Sequence, residues 1–379
     1  MAIGDLNQQL DNTEYDIGIF RAANCKLKLR NDHGLYSPAG TIESLFKFRR
    51  GGSKIRIRWE AGDERLCCGF FTAGHPSSTL SEPVTLFEGL LDDIQTKTPV
   101  DDQTVEFLIQ GYESLLAQIS TPYSSISNGD TIALTIYRML NQAPFTTHVT
   151  VLQANITPST SFTIDNKTSL ENQTVVEGLK DLLLASNSVL YVRDNIVYVK
   201  PRTATTDLQH TWYGPAAEEG IENILDIDDF RSGEHRIINF VTWQDTSLMA
   251  NDVTSVTKYG ARKKEIKADV VTNNTQRTTI ITAIKDEFAN PKREMILMTP
   301  LDKNTVDLFL LDRVSVDYPS EYVVAETQNV AIYEIGEYDV DYYAAPIARL
   351  EIESTARFKI MSRRLSFDKF TMAYGLREI

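Results

Sequence analysis

The chain has 379 residues, 42% hydrophobic and 24% charged, with a formal net charge of -14 at pH 7. That apolar content excludes a disordered chain, and the length exceeds what one core usually sustains, so two or three domains are expected. The negative charge speaks against a protein that grips nucleic acid or adsorbs to an anionic membrane, since both tasks need clustered Lys and Arg.

In chain order, the first ten residues are polar and read as an arm. Short alternating segments follow at 15–20, 25–30, 54–60, 65–71, 84–94 and 103–109, with one short helix near 41–47. The clearest strand is Lys54-Ile55-Arg56-Ile57-Arg58-Trp59, in which apolar and basic side chains alternate with period two. Gly51-Gly52 precedes it and Gly62-Asp63 makes the following turn. The strand count predicts a small barrel or sandwich over this region.

From 122 to 212 the periodicity changes. Asp130 can cap a helix running to 142, with Ile132, Ile136, Met139 and Leu140 on one face. A second helix, over 173–185, places Val175, Val176, Leu179, Leu182 and Leu183 at the same spacing. Val189–Val192 and Ile196–Val199 flank Arg193-Asp194-Asn195, which predicts a β-hairpin. After a polar stretch (203–220), strands are expected at 235–244, 292–299, 306–317, 328–340 and 346–353. A helix over 277–288 stands among them and stops at Asn290-Pro291. The fold class is therefore mainly β with α+β elements. A helix followed by a strand, a hairpin and two long strands recurs in the first and last parts, a pattern compatible with a duplicated barrel.

The strong chemical signatures are missing. His33, His75, His148, His210 and His235 form no His-Glu-x-x-His spacing, and no Cys-x-x-Cys pair, nucleophile elbow or phosphate loop occurs. Cys25, Cys67 and Cys68 are the only cysteines. Adjacent cysteines rarely bond to each other, so no disulfide framework is expected and assembly in a reducing cytoplasm is. The opening Met1–Leu10 has no basic n-region or apolar h-region, and no apolar run reaches membrane-spanning length, so neither a signal peptide nor a transmembrane segment is expected. Four Asn-x-Thr triplets, from Asn155, Asn166, Asn172 and Asn273, read as chance matches without secretion. The acidic Asp226–Asp229 run lacks the alternation and glycine of a calcium loop and reads as a solvated turn. Tyr333, Tyr338, Tyr342 and Tyr343 could stack on a sugar, but in strands they more often serve cross-strand pairs or interfaces. No catalytic residue, cofactor or metal ligand is nominated, and the chain is expected not to be an enzyme.

One stretch carries more. Leu86-Phe87-Glu88-Gly89-Leu90-Leu91-Asp92-Asp93-Ile94, continued by a strand and then Gly111-Tyr112-Glu113-Ser114-Leu115-Leu116, resembles the F-x-G strand and following helix of bacteriophage baseplate hub and tail-tip hub proteins. Cys25–Gly34, the hairpin 189–199, Ile237–Val241, Tyr259–Lys263 and Pro291–Glu294 are similar to further stations of the same architecture. The acidic 203–230 stretch and the segment 363–379 depart from it.

The resemblance implies two tube-like β-barrel domains, at 1–121 with the N-terminal arm and at 213–362. An α+β middle domain at 122–212 lies between them, and a C-terminal tail follows at 363–379. It implies a homotrimer whose six barrel units match a hexameric tail tube protein. Distal tail, tape measure and central spike or fibre proteins are the implied partners, in a virion tail assembled in the host bacterial cytoplasm. DNA would pass through the lumen without specific binding, and carboxylates lining the bore would repel it. Candidate assembly residues are Lys54, Arg56, Arg58, Asp92, Asp93, Tyr333 and Tyr338. The alternatives are a receptor- or carbohydrate-binding tail protein and a glycan hydrolase.

Overall fold

The computed structural model describes residues 3–9, 22–30, 53–59, 84–97, 104–158, 162–214, 223–302, 305–318, 352–353, 355–366 and 369–379. Five strands come first: β1 (Ile3–Gln9), β2 (Asn24–Arg30), β3 (Lys54–Trp59), β4 (Val84–Lys97) and β5 (Thr104–Gln110). A 3-10 helix (Tyr112–Gln118), α1 (Ile132–Leu140) and α2 (Val175–Ala185) follow, then the hairpin β6 (Ser188–Arg193) and β7 (Ile196–Pro201). Next are β8 (Leu208–Tyr213), β9 (Asp226–Arg231), β10 (Phe240–Trp243), β11 (Met249–Asn251), α3 (Val253–Tyr259) and β12 (Lys263–Ile266). The chain finishes with α4 (Asn274–Phe288), β13 (Glu294–Pro300), β14 (Arg313–Asp317), β15 (Arg357–Ser366) and β16 (Thr371–Glu378). The class is mainly β with α+β elements, as the periodicities predict.

Local chemistry explains the helical part. Thr174 accepts from the Glu177 N–H while Glu177 accepts from the Thr174 N–H, a capping box that starts α2. The side chain capping α1 is Thr131, which accepts from Leu134 at 3.2 Å, rather than Asp130. Asp130 instead pairs with Arg138 at 2.5 Å. In the β6–β7 turn both Asp194 (φ 51°) and Asn195 (φ 59°) take positive φ, the backbone a two-residue hairpin requires.

One sheet dominates. Its strands run β3-β4-β5-β2-β1-β15-β16-β13-β9, with β14 pairing to both β15 and β8. β1 lies antiparallel between β2 and β15 and stitches the first strand set to the last. The polar opening segment is therefore a central strand and not an arm: Leu6 faces the core while Asp5 and Asn7 point away. Residues 363–366 and 371–378, expected within a tail, belong to the central pair β15–β16. Two separate closed barrels are not formed by the described strands, because the β1–β15 ladder fuses both sets into one open sheet ending at β3 and β9. The segments 15–20, 41–47, 65–71, 328–340 and most of 346–353 lie outside the described residues.

Two hydrophobic cores result. The sheet core joins Cys25, Ile55, Phe87 and Phe107 to Trp212, Phe358 and Tyr374. The other packs the 3-10 helix, α1 and α2 against α4 and the small β11-β10-β12 sheet, through Ile136, Leu182, Trp243 and Ile284. Gly233 helps set their junction. Its φ is 79°, and a Cβ there would lie 1.9 Å from the Lys292 carbonyl oxygen, so only glycine fits.

Candidate assembly surface

β3 carries Ile55 and Ile57 inward and Lys54, Arg56 and Arg58 outward, and it is an outermost strand among those described. Directly opposite Arg56 in the ladder is Glu88 of β4. Arg56 reaches it with Nε at 2.9 Å and Nη2 at 3.1 Å, a two-pronged pair, and Lys54 forms a further ion pair with the same carboxylate. Tyr112, at the start of the 3-10 helix, donates its hydroxyl to Glu88 Oε1 at 3.1 Å. Asn195, in the β6–β7 turn, donates Nδ2 to Oε2 at 2.7 Å.

Glu88 is thus one carboxylate shared by four donors from three parts of the chain. Its side chain is 5% exposed, against 44% for Lys54 and 39% for Arg56. Water screens the basic partners, so each ion pair is weak by itself. The buried carboxylate, by contrast, depends on its donors. Burial pushes the Tyr112 hydroxyl up to about 12, with Arg56 opposing. Burial and the neighbouring Arg56 charge push Lys54 down. The Tyr112 ring stacks on His148 at 5.1 Å between centroids.

The other candidates lie elsewhere. Arg58 sits past a register shift, opposite Thr85, and is exposed. Asp92 is exposed and accepts from Gln110 Nε2 at 2.8 Å. Asp93 follows a second shift in the β4–β5 ladder, with its backbone opposite Leu108. Tyr333 and Tyr338 lie outside the described residues. Of the five that are described, the structure brings Lys54 and Arg56 together on Glu88.

Beside Glu88, a second polar joint ties the hairpin to the far half of the sheet. Arg193 donates to the Asp307 carbonyl at 3.0 Å and stands 3.7 Å from the Asp312 carboxylate, which accepts from the Phe309 N–H at 2.7 Å. Burial pushes Asp312 up, and the Phe309 N–H, Arg193 and Arg363 pull it back. Arg363 of β15 donates to Gln8 of β1, to the Leu308 carbonyl at 3.0 Å and to the Leu86 carbonyl at 3.2 Å. Its guanidinium lies 4.2 Å from the Phe309 ring centroid, and burial lowers it to about 10. A small cavity of about 60 Å³ lies between these joints, walled by Glu88, Glu113, Asn195 and Arg363. Burial pushes Glu113 up to about 7, while its own N–H and that of Ala23 act the other way.

Sequence reasoning nominated neither Glu88 nor Asn195, although both stand inside motifs it used. Nothing in the sequence marks Arg363. The arrangement fastens strands, hairpin and helix into one block. Among the described residues, no group of three or more His, Cys, Asp or Glu could hold a metal ion, and no helix is long and apolar enough to cross a membrane.

No protein-family model matches the sequence, and no curated protein does. Solved structures do match. The tail protein from Neisseria meningitidis MC58 superposes with a TM-score of 0.58 at 11% identity, covering 99% of this chain and 90% of that one. The 43 kDa tail protein of prophage MuSo2 from Shewanella oneidensis gives 0.54 at 11% identity, covering 99% and 93%. The chain is similar in fold, over almost its whole length, to these two tail proteins.

Proposed function

We propose that the chain is a structural hub of a phage-type tail, acting by assembly and not by catalysis. Three copies close into a ring that adapts a hexameric tail tube to a three-fold spike or fibre and forms part of the DNA channel. The observation that carries this is the full-length likeness of fold to two tail proteins. The basic outer strand β3, fixed on Glu88, supplies an ordered rim for contact with a neighbour. The partners on either side are then the tail tube, distal tail and tape measure proteins and the central spike or fibre, in a virion built in the host cytoplasm. Strand sets toward the two ends of the chain, on either side of 122–212 in sequence and joined by the β1–β15 ladder, give each copy two ring-forming parts.

Light scattering on the purified chain, followed by electron microscopy, tests the ring. A trimer with a central opening is expected; a monomer at all concentrations overturns it. A carboxylate-lined bore belongs to the same proposal, and β9, outermost among the described strands, shows exposed Asp226, Asp228 and Asp229. Replacing these three by Lys should slow DNA ejection from assembled particles. Unchanged ejection would remove the electrostatic part of the proposal.

A further inference from the structure

α3 ends at Tyr259, and the turn that follows leads directly into β12. Over this short stretch Lys258, Arg262 and Lys263 are exposed and Lys264 is half-buried, on a chain whose formal net charge is -14. None of the four has an ion-pair partner among the described residues. Acidic neighbours are few: Glu265 is exposed in β12, and Asp269 is taken by Lys267 at 3.1 Å. Glu234 is the weakest influence on Lys258, whose Nζ lies 4.9 Å from the Tyr259 ring centroid. The negative end of α3 accounts for Lys258 beside it, but not for the three cations beyond the turn.

Like charges this close repel, yet the turn is fixed from beneath. Asn239, fully buried, accepts from the Arg262 N–H at 2.7 Å and donates to the Gly260 carbonyl at 2.9 Å. It also donates to Ser255 Oγ at 3.1 Å, and Ser255 in turn donates to the Ala289 carbonyl just past α4. A buried polar network therefore holds both sides of the turn and sets the place of the cations it carries.

β12 is also an outermost strand of its sheet, whose order is β11-β10-β12. The Arg262 and Ile266 carbonyls accept from the Phe240 and Gln244 N–H groups at 3.2 and 2.9 Å. Backbone groups alternate sides along a strand, so those of Lys263 and Glu265 face away from β10. Among the described residues nothing bonds to them. Lysine on such an edge keeps identical strands from pairing, because like charges would meet. The same lysines attract a strand that carries carboxylates.

We infer that β12 is a docking edge for an acidic, extended segment of a partner protein. That segment adds to the sheet as a fourth strand on the open backbone groups of Lys263 and Glu265, and sets its carboxylates against Arg262, Lys263 and Lys264. A peptide backbone can complete such a ladder and a nucleic acid cannot, while the overall negative charge of the chain repels a polyanion. The inference does not rest on the hub reading, because it concerns one edge of the small sheet within a single chain.

Fluorescence anisotropy of the full chain with a labelled peptide of alternating Glu and Val tests it. The peptide is expected to bind, with an affinity that falls with salt and drops about tenfold when Gln replaces Glu. Lys263→Glu combined with Lys264→Glu should cause a similar loss. Glu265→Pro removes an outward N–H and also a negative charge, so it weakens binding if a strand is added and strengthens it if charge alone acts. Should that variant not fold, a peptide N-methylated throughout makes the same distinction and is expected not to bind. Absence of binding, equal binding of the Gln peptide, undiminished binding by either backbone-blocked form, or tighter binding of DNA of equal charge overturns the inference. So does a fall in the chain's own mass on the double lysine substitution, since the occupant is then a second copy.

Discussion

Asn195 and Glu88 lie 107 residues apart, yet the Asn195 side-chain amide donates to the Glu88 carboxylate at 2.7 Å. This bond fastens the β6–β7 turn to β4. Asn195 also has φ 59°, so Asn195→Gly keeps the turn and deletes only the bond. A hydrogen bond to a charged group contributes about 1.5–3 kcal/mol, and a denaturant titration should show a loss of that order. Glu88→Ala leaves Tyr112 and Asn195 without their acceptor while water takes up Lys54 and Arg56, and should cost more, about 1–3 kcal/mol for each of the two donors left unpaired.

Gly89 follows Glu88, and a Cβ on it would lie 2.3 Å from the Gln110 carbonyl oxygen of β5. That obstacle is backbone and cannot swing aside. Gly89→Ala should force β4 and β5 apart at an expected cost of about 1–3 kcal/mol, with faster amide exchange along both strands.

Glu113 supplies a pH dependence. Its folded value is raised to about 7 from an ordinary 4.5, first by burial. The folded state therefore holds this proton more tightly than the unfolded chain. The associated stability is fully present below about pH 4.5 and is lost as pH rises towards 7, a change of about 3 kcal/mol. Glu113→Gln should leave stability near pH 4.5 little changed, raise it above pH 7, and flatten the profile of Tm against pH between them.

The capping box of α2 offers a milder test. Thr174→Ala removes the side chain that accepts from Glu177 and should cost about 0.5–2 kcal/mol in chemical unfolding. Glu177→Gln keeps the box geometry and should cost less.

Where backbone chemistry is local, the sequence displays it. The Asp194-Asn195 turn, the apolar faces of α1 and α2, and the alternation of β3 are all legible as written. The central strands are not, because β1 and β15 pair across almost the whole chain and the inward positions are disguised. β15 buries Lys359 and Arg363, and β16 buries Arg377, so charges stand where alternation would show apolar residues. β1 hides similarly, with Gln8 buried beneath Arg363. The Glu88 joint is half legible: the F-x-G stretch points to β4, but nothing local predicts that a turn from the middle of the chain will land on it.

Across the ladder between β1 and β15, the side chains of Asp5 and Arg364 pair although they stand 359 positions apart. Synthesis proceeds from the first of these strands to the last, so β1 must wait through nearly the whole of translation for its second neighbour. Until residue 366 has left the ribosome, β1 carries an open hydrogen-bonding edge, and nascent copies growing side by side could pair through it. Fusing both strand sets into one sheet thus ties the timing of folding to the completion of each chain.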